Sequence, residues 1–563
     1  MKFSFYLTAI VLLFIGLNAS SQNLENIAQQ KPVTFHGNVN LRTMFYQADG
    51  IPNRRKPFTY ILSGSPTLNI YGVSLPFSFI LTEQERSYRQ PFNQFGVSPT
   101  YKWVTVHAGY RNVSFSPYTL DGYTMLGGGF ELRPGKFYVG MMYGRLNRAV
   151  EANQFTNNIQ AVSFSRKGIA GKIGFGNDTT NINFSFLKAK DDPGSLDYKS
   201  VDSAYVTPAE NLVLGAGARL GFLKHFFIDG DAGVSIYTKN TQSSAVIDES
   251  EINTPSLISS SMTINASSEV NKAFRTAIGY KDRRFGLNLQ YRRIDPNFQS
   301  MGAYFFQNDL ENYTINPSAI LWKSKLRFNG SLGIQRDNLS AQKQATARRV
   351  ISSLSASISF NKNFGLDLTY SNYATSQMPV AVRFNDSLKV AQTTQNFSVT
   401  PRYIITREKL SHVFVVSFNY MKLNDFSRLS AQRNLNSTTA FANYQVSFIP
   451  SGISLSLGVS YGQLQSAYAN SGNQGVTLGL GKSFLKNKLQ LRLNNSYVQT
   501  IQRSVSNPLL THNLSGSYKI NTHHSFGINL YYLNNQGTKE TAALGGYPKY
   551  TEFRGDLNYN FTF

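Results

Sequence analysis

The sequence contains no cysteine. This absence excludes disulfide cross-links, thiol-based catalysis and cysteine-bound metal sites. It also excludes the cysteine-linked lipid anchor of bacterial lipoproteins. The fold therefore depends on neither disulfides nor cysteine-bound metals.

Long apolar runs are also missing, except at the start of the chain. Residues 3–17 are apolar and are followed by the small residues Ala19 and Ser21, which predicts a signal peptide over residues 1–21, cleaved near Ser21-Gln22. Beyond it, no stretch approaches the ~18 consecutive apolar residues of a membrane helix. Charged residues make up only 15% of the chain, against roughly 25% in soluble domains. A membrane protein without helices must be a closed β-barrel, because unpaired backbone groups cannot face lipid.

Aromatic residues are abundant, with 32 tyrosines and 41 phenylalanines. At the end of the chain, apolar and polar residues alternate strictly, so that the apolar ones share one side of an extended strand. This apolar set is Phe553, Gly555, Leu557, Tyr559, Phe561 and Phe563. The segment resembles the C-terminal strand of large Gram-negative outer-membrane β-barrels. The resemblance implies that these six residues form the membrane-insertion signal.

The remaining chain reads as strands joined by connections of two kinds. Twelve tight turns, such as Tyr71-Gly72 and Pro134-Gly135, alternate with thirteen longer polar segments. Short turns on the periplasmic side and long loops on the extracellular side are typical of outer-membrane barrels. The sequence therefore predicts an all-β fold, a single transmembrane antiparallel β-barrel of about 26 strands over residues 33–563, preceded by a short periplasmic segment at 22–32.

One region complicates the strand count. Residues 159–176 could form two short strands interrupted at Arg166-Lys167-Gly168, which would give an odd total and invert every later loop. Treating the region as one long strand restores the alternation and an even number of strands. We therefore predict one strand there, with both chain ends on the periplasmic side.

Function is less constrained than fold. A barrel of about 26 strands has a wide lumen, which in-folded loops or a partner protein must fill to prevent leakage. We expect a non-catalytic conduit or platform for transport or export in the outer membrane, plugged by loops or by a periplasmic or lumen-filling partner. The alternatives are a surface-exposed structural or adhesion barrel that works through its extracellular loops, and a hydrolase at the barrel rim.

Two sets of residues are candidates for lumenal roles. Aromatic residues concentrate in one long loop and suit either a plug or the interfacial aromatic girdle; they are Phe298, Tyr304, Phe305 and Phe306. Four arginines on the polar faces of strands would favour anionic cargo; they are Arg42, Arg292, Arg327 and Arg492. Lysine occurs in eight of the twelve turns, where a basic rim could dock an acidic partner.

No catalytic, cofactor or metal motif stands out. The segment Gly475–Ser483 departs from the phosphate-loop spacing and lies in a predicted strand. We therefore expect no enzymatic activity, cofactor or metal, and no nucleic-acid partner, since basic residues follow the strand period rather than forming one patch. The resemblance implies contacts with outer-membrane lipid, lipopolysaccharide and the barrel-insertion machinery.

Overall fold

The computed structural model describes most of the chain. The described residues are 32–83, 90–151, 162–197, 206–245, 260–303, 308–343, 345–379, 390–425, 434–467, 470–502, 505–538 and 549–563. The predicted signal peptide and residues 22–31 lie outside them. Within these ranges, helical structure is limited to one 3-10 turn, Pro193–Ser195, and no helix is long and apolar enough to cross a membrane.

The described chain forms one closed antiparallel β-barrel of 26 strands, as predicted. Three strands are interrupted by a short irregularity and continue beyond it. The first thirteen strands are β1 (Val33–His36 and Asn38–Asp49), β2 (Phe58–Gly64 and Thr67–Ile70), β3 (Val73–Thr82), β4 (Gln94–Val97 and Thr100–Tyr101), β5 (Val104–Asn112), β6 (Thr124–Leu132), β7 (Phe137–Asn147), β8 (Arg166–Gly176), β9 (Asn181–Asp191), β10 (Glu210–Phe222), β11 (Phe226–Thr238), β12 (Ser268–Lys281) and β13 (Phe285–Ile294).

The second half of the barrel is more regular, and its strands are longer. They are β14 (Leu310–Leu321), β15 (Leu326–Arg336), β16 (Ala345–Ser359), β17 (Phe364–Pro379), β18 (Val390–Thr406), β19 (Leu410–Asp425), β20 (Leu435–Phe448), β21 (Ile453–Ser466), β22 (Asn470–Phe484), β23 (Leu489–Gln502), β24 (Val505–Lys519), β25 (His524–Asn535) and β26 (Tyr550–Thr562). Every strand pairs with its neighbours in the sequence, which is the simplest topology for a barrel.

The last strand closes the barrel against the first. Residues from Asn38 to Asp49 pair in register with residues from Thr562 back to Thr551. The terminal Phe563 continues this ladder, since its N–H donates to Gly37 O at 3.1 Å and its carbonyl accepts from Gly37 N–H at 3.0 Å. Its ring stacks on Phe35, with the ring centroids 4.1 Å apart. The predicted closure of the barrel by the C-terminal strand is confirmed.

The two rims differ as the sequence predicts. Each of the twelve predicted turns joins two strands at one rim, and the longer segments join strands at the other. Both ends of the barrel sequence lie at the short-turn rim, which is the periplasmic one. Several turns need left-handed backbone, for example Lys102 with φ 52° and Gly72 with φ 85°.

The two faces of the sheet have different chemistry. One face exposes large apolar side chains such as Tyr143, Phe184 and Leu478. The other carries small and polar residues, and on β7 to β13 it also contacts loops folded into the barrel. An apolar outer surface and a polar lumen, together with the two unlike rims, are the architecture of Gram-negative outer-membrane barrels.

One strand boundary differs from the prediction. The region predicted as one strand over residues 159–176 does form a single strand, but it begins only at Arg166. Val162 and Phe164 instead pack with Leu196 in a small buried cluster among the extracellular loops. Apolar alternation in the sequence reflects burial there, but the partner is a loop rather than a neighbouring strand.

Candidate functional site: a plug in the lumen

The largest buried cluster of the described chain lies inside the barrel. Its centre is the loop 113–123, which follows β5 and folds back into the lumen. The loop closes on itself, because Phe115 N–H donates to Leu120 O at 2.8 Å and Thr119 N–H donates to Ser116 O at 3.1 Å. Phe115, Tyr118 and Leu120 are all buried. The loop therefore presents its apolar side chains to the barrel wall.

A second loop completes this structure. In the segment 295–303, which follows β13, Phe298 is fully buried, and its ring meets Tyr118 edge to face at 5.9 Å. Asp121 N–H donates to Gly302 O at 2.9 Å, and the Ser300 hydroxyl donates to Thr119 O at 2.6 Å. The two segments thus form one packed body. We call residues 113–123 and 295–303 the lumenal plug.

Glycines in the wall make room for the plug. A Cβ added at Gly233 of β11 would lie 2.6 Å from Tyr118 Cβ, and one at Gly140 of β7 would lie 2.8 Å from a ring carbon of Phe115. Both distances are far shorter than an ordinary carbon contact of about 3.5–4.0 Å. Any larger residue at these positions would push the plug away from the wall.

Buried hydrogen bonds fix the plug to β9, β10 and β11. The Asn211 side chain accepts from Met301 N–H at 3.0 Å and donates to Ser235 Oγ at 2.9 Å. The Ser235 hydroxyl in turn donates to Gln299 O at 2.6 Å. The Thr119 hydroxyl donates to Ser185 Oγ at 3.3 Å. Because these groups are buried, losing one partner would leave another unsatisfied, which favours a single docked position.

Charged residues surround the plug on the lumenal face. Arg275 of β12 pairs with Asp231 at 2.7 Å and with Asp229 at 3.2 Å. Arg292 of β13 lies directly opposite Arg275 in the strand register, and its guanidinium interacts with the Tyr118 phenol. Burial raises the pKa of Tyr118, so the phenol stays neutral and can donate a hydrogen bond.

One patch of the lumenal wall, away from the plug, is uncharged and polar. Between β15 and β20 the inner face forms a groove of about 590 Å³. Its inward side chains are almost all hydroxyls and amides: Asn329, Ser331, Ser353, Ser355, Thr369, Ser371, Asn396, Ser398, Asn419, Ser437 and Thr439. Such groups exchange hydrogen bonds with water and hydrophilic solutes without binding either charge tightly. We call this surface the polar wall.

The four lumenal arginines predicted from the sequence do not form one site. Arg42 pairs with Asp556 across the barrel seam at 2.7 Å, and Arg292 lies beside the plug. Arg327 and Arg492 lie on β15 and β23, near the periplasmic rim, and are exposed. Since β1, β13, β15 and β23 are spread around the barrel, the structure does not combine these charges.

The structure describes one of the four aromatic residues predicted for a plug or girdle. Phe298 belongs to the plug and does not extend a strand into the girdle, whereas Tyr304, Phe305 and Phe306 lie outside the described residues. Asp191 is buried in an ion pair with Arg166 at 2.8 Å. Asp191 lies at the start of one of two long loops that are rich in acidic residues. The acidic residues of the second loop, Asp248, Glu249 and Glu251, lie outside the described residues.

The structure also brings together a serine, a histidine and a carboxylate that are distant in sequence. His107 Nδ1 lies 2.9 Å from Ser98 Oγ, and its Nε2 lies 3.0 Å from Glu131 Oε1. Catalytic triads use the two ring nitrogens the other way round. The Ser98 N–H also donates to Pro76 O at 3.1 Å, so it is not free to stabilise an oxyanion. These contacts join β4, β5 and β6 within the wall.

A metal site is not evident in the part of the chain that the structure describes, where no three histidine, aspartate or glutamate side chains are grouped to hold an ion. The functional residues that the sequence analysis missed are those of the plug's first loop, Phe115, Tyr118 and Leu120. From the sequence alone, their segment is predicted to be an ordinary polar connection between strands. The two aromatic residues and the leucine within six positions were the available signal.

Comparisons with known proteins do not identify a family. No family model and no curated protein matches the sequence. Among solved structures, the chain is similar to the FrpB iron transporter from Neisseria meningitidis, at 10% identity and a TM-score of 0.36 over 96% of this chain and 83% of that one. It is also similar to the P pilus usher (PapC) translocation pore, at 10% identity and a TM-score of 0.35, over 94% of this chain and 99% of that one.

A third similar structure is the siderophore receptor PirA from Pseudomonas aeruginosa, at 10% identity and a TM-score of 0.38 over 95% of this chain and 81% of that one. At such TM-scores the similarities carry no functional argument. The strand pairing itself establishes the barrel, and function must be argued from the lumen.

Proposed function

We propose that the protein is a non-catalytic conduit for hydrophilic cargo across the outer membrane, closed by its own lumenal plug. The observation that carries this proposal is the docking of two extracellular loops inside the barrel, where glycines and buried hydrogen bonds accommodate them. A purely structural barrel would gain little from burying Tyr118 and Phe298 in its lumen.

The polar wall supports the same function. The hydroxyl and amide groups of the polar wall keep a route beside it wettable, and the side chains of this patch carry no fixed charge that would trap an ion. In this proposal the plug moves or is displaced during passage, by cargo or by a periplasmic partner. The N-terminal residues 1–21 direct export and are removed near Ser21-Gln22.

Conductance in planar bilayers tests the proposal. Residues 114–122 would be replaced by a Gly/Ser linker of equal length, and the matched control would replace residues 50–57, an extracellular loop outside the lumenal cluster. We expect low conductance for the wild type and the control, and a large stable conductance for the plug variant. A plug variant that stays closed, while folded as a barrel, would contradict closure by the loops.

A surface-binding role is the second candidate, favoured by one observation. Val162, Phe164 and Leu196 pack into a buried cluster that joins two extracellular loops above the barrel. Loops that only connect strands do not require such packing. If surface binding is the function, replacing Phe164 with serine should reduce adhesion of cells to host or matrix surfaces and leave bilayer conductance unchanged.

A further inference from the structure

Three cations lie side by side on the outward face of the barrel near the extracellular rim. Arg145 of β7 is directly opposite Lys167 of β8, and Lys167 is directly opposite Lys190 of β9. Opposed residues of neighbouring antiparallel strands project to the same side of the sheet. We call Arg145, Lys167 and Lys190 the outer cation row.

The row faces outward, at the upper edge of the apolar surface. Tyr143, two residues before Arg145, is 59% exposed, and Phe184, on the same face of β9 as Lys190, is 55% exposed. From Phe137 to Arg145 the strand rises by roughly 26 Å along its length and by about 20 Å along the barrel axis at the usual tilt. This rise matches the apolar band of outer-membrane barrels, about 25 Å tall. The row therefore lies at the level of outer-leaflet headgroups.

The charges of the row are poorly balanced by the protein. Neighbouring strands are only ~4.8 Å apart, and like charges directly opposite each other destabilise a sheet. Glu210 follows in the same row and pairs with Lys190 at 3.3 Å and with Lys188 at 4.0 Å. Within the described ranges neither Arg145 nor Lys167 forms an ion pair.

Within the described part of the chain, the surroundings of the row leave its centre accessible. Among the described residues, the Arg145 guanidinium donates a hydrogen bond to the Tyr110 hydroxyl at 3.4 Å, and Lys167 is exposed. On the β10 side, the segment 260–264 borders the row, where the Thr263 N–H donates to Glu210 at 3.0 Å and Thr263 Oγ1 accepts from Lys190 at 3.5 Å. A multivalent anion seated between Arg145 and Lys190 would neutralise the repulsion.

We infer that the outer cation row binds the phosphorylated disaccharide headgroup of lipid A, with its acyl chains on the apolar surface below. The row extends over two strand spacings, about 10 Å, which suits two phosphates better than the single phosphate of a glycerophospholipid. Its position at the extracellular rim is where the outer leaflet presents this headgroup. The inference rests on the outer-membrane location proposed above but not on the lumenal route.

Lipid binding to the purified full-length protein tests this inference. The variant R145Q/K167Q/K190Q would be compared with K362Q/K409Q/K488Q, which removes three exposed cations at the periplasmic turns. The probes are bis-phosphorylated lipid A, the same lipid without phosphates, and phosphatidylglycerol, each titrated into detergent-solubilised barrel. About a fivefold loss per cation near an anionic headgroup predicts a roughly 100-fold weaker lipid A affinity for the first variant.

The expected pattern is specific. Wild type and the periplasmic control bind bis-phosphorylated lipid A with similar affinity, the row variant binds it about as weakly as the phosphate-free lipid, and phosphatidylglycerol binds weakly to all three. Equal affinity of wild type and the row variant would overturn the inference, and so would an equal loss in the control. Equal binding of phosphatidylglycerol and lipid A to the wild type would overturn the assignment to lipid A. Bilayer conductance of the row variant should stay at the wild-type level, which separates this site from the conduit.

Discussion

Replacing Gly233 with alanine should loosen the lumenal plug. The added Cβ would lie 2.6 Å from Tyr118 Cβ, whereas carbon atoms in contact keep about 3.5–4.0 Å. Tyr118 must therefore retreat by about 1 Å, but Phe298 packs against its ring. Overpacking of this kind costs roughly 1–3 kcal/mol. If this free-energy cost falls on the docked state of the plug, the undocked population increases by about 5- to 150-fold.

The assay is single-channel recording, with Gly458→Ala as the matched control. Gly458 lies on the lumenal face of β21, and a Cβ there would meet Phe441 and Asn443 at the ordinary distances of 3.4 Å and 3.5 Å. We expect more frequent large openings for G233A and wild-type traces for G458A. Unchanged openings in a correctly folded G233A barrel, or equal effects in both variants, would refute the proposed contact between plug and wall.

Three further predictions follow from other parts of the structure. Asp556→Asn should lower the free energy of unfolding in denaturant by about 2 kcal/mol, because buried Asp556 accepts a hydrogen bond from Arg42 at 2.7 Å and forms an ion pair with Arg554 at 3.0 Å. The matched change Asp367→Asn, in a half-exposed pair, should cost less than about 1 kcal/mol. Deleting Phe563 should reduce the heat-modifiable, membrane-inserted fraction, since it removes the Phe35 stack and two backbone hydrogen bonds, whereas Thr562→Ala should not. Asp309 is buried, but Lys343 and the Leu339 N–H outweigh the effect of burial and hold its pKa below the ordinary 3.8. The stabilisation that ionised Asp309 gives the folded protein is therefore present above pH 3.8 and is lost as the pH falls through the lower pKa of the folded state. At pH 7, Asp309→Asn should accelerate proteolysis of residues 337–343, and unchanged proteolysis would contradict this role.

Much of the fold was predictable because strands and turns leave local signals. Alternation locates a strand whatever its distant partners are, and the Pro134-Gly135 or Tyr71-Gly72 turn is read from two or three residues. The boundary at Arg166 was not predictable, because Val162 and Phe164 also alternate but are buried against Leu196, more than thirty residues away. The alternation of apolar residues shows that a side chain is buried, but it does not show whether a strand or a loop covers that side chain.

The plug was predictable only as a requirement of a wide lumen. Nothing near Tyr118 in the sequence indicates that it packs on Gly233 and Phe298, since both contacts bridge more than a hundred residues. The glycines of the wall carry the complementary information, but in sequence they look like ordinary small lumenal residues. For the same reason the outer cation row is invisible until strand register places Arg145, Lys167 and Lys190 next to each other.

The most direct test of the central claim is a reversible lock on the plug. Because the chain has no cysteine, a T119C/S185C pair would form the single disulfide of the protein at a position where the two native hydroxyl oxygens are 3.3 Å apart. Conductance would be recorded for the same oxidised barrels before and after reduction, with the disulfide verified by mass spectrometry. The account predicts no large openings while the plug is locked to β9 and their return on reduction. Openings of equal size and frequency in the fully locked protein would contradict it.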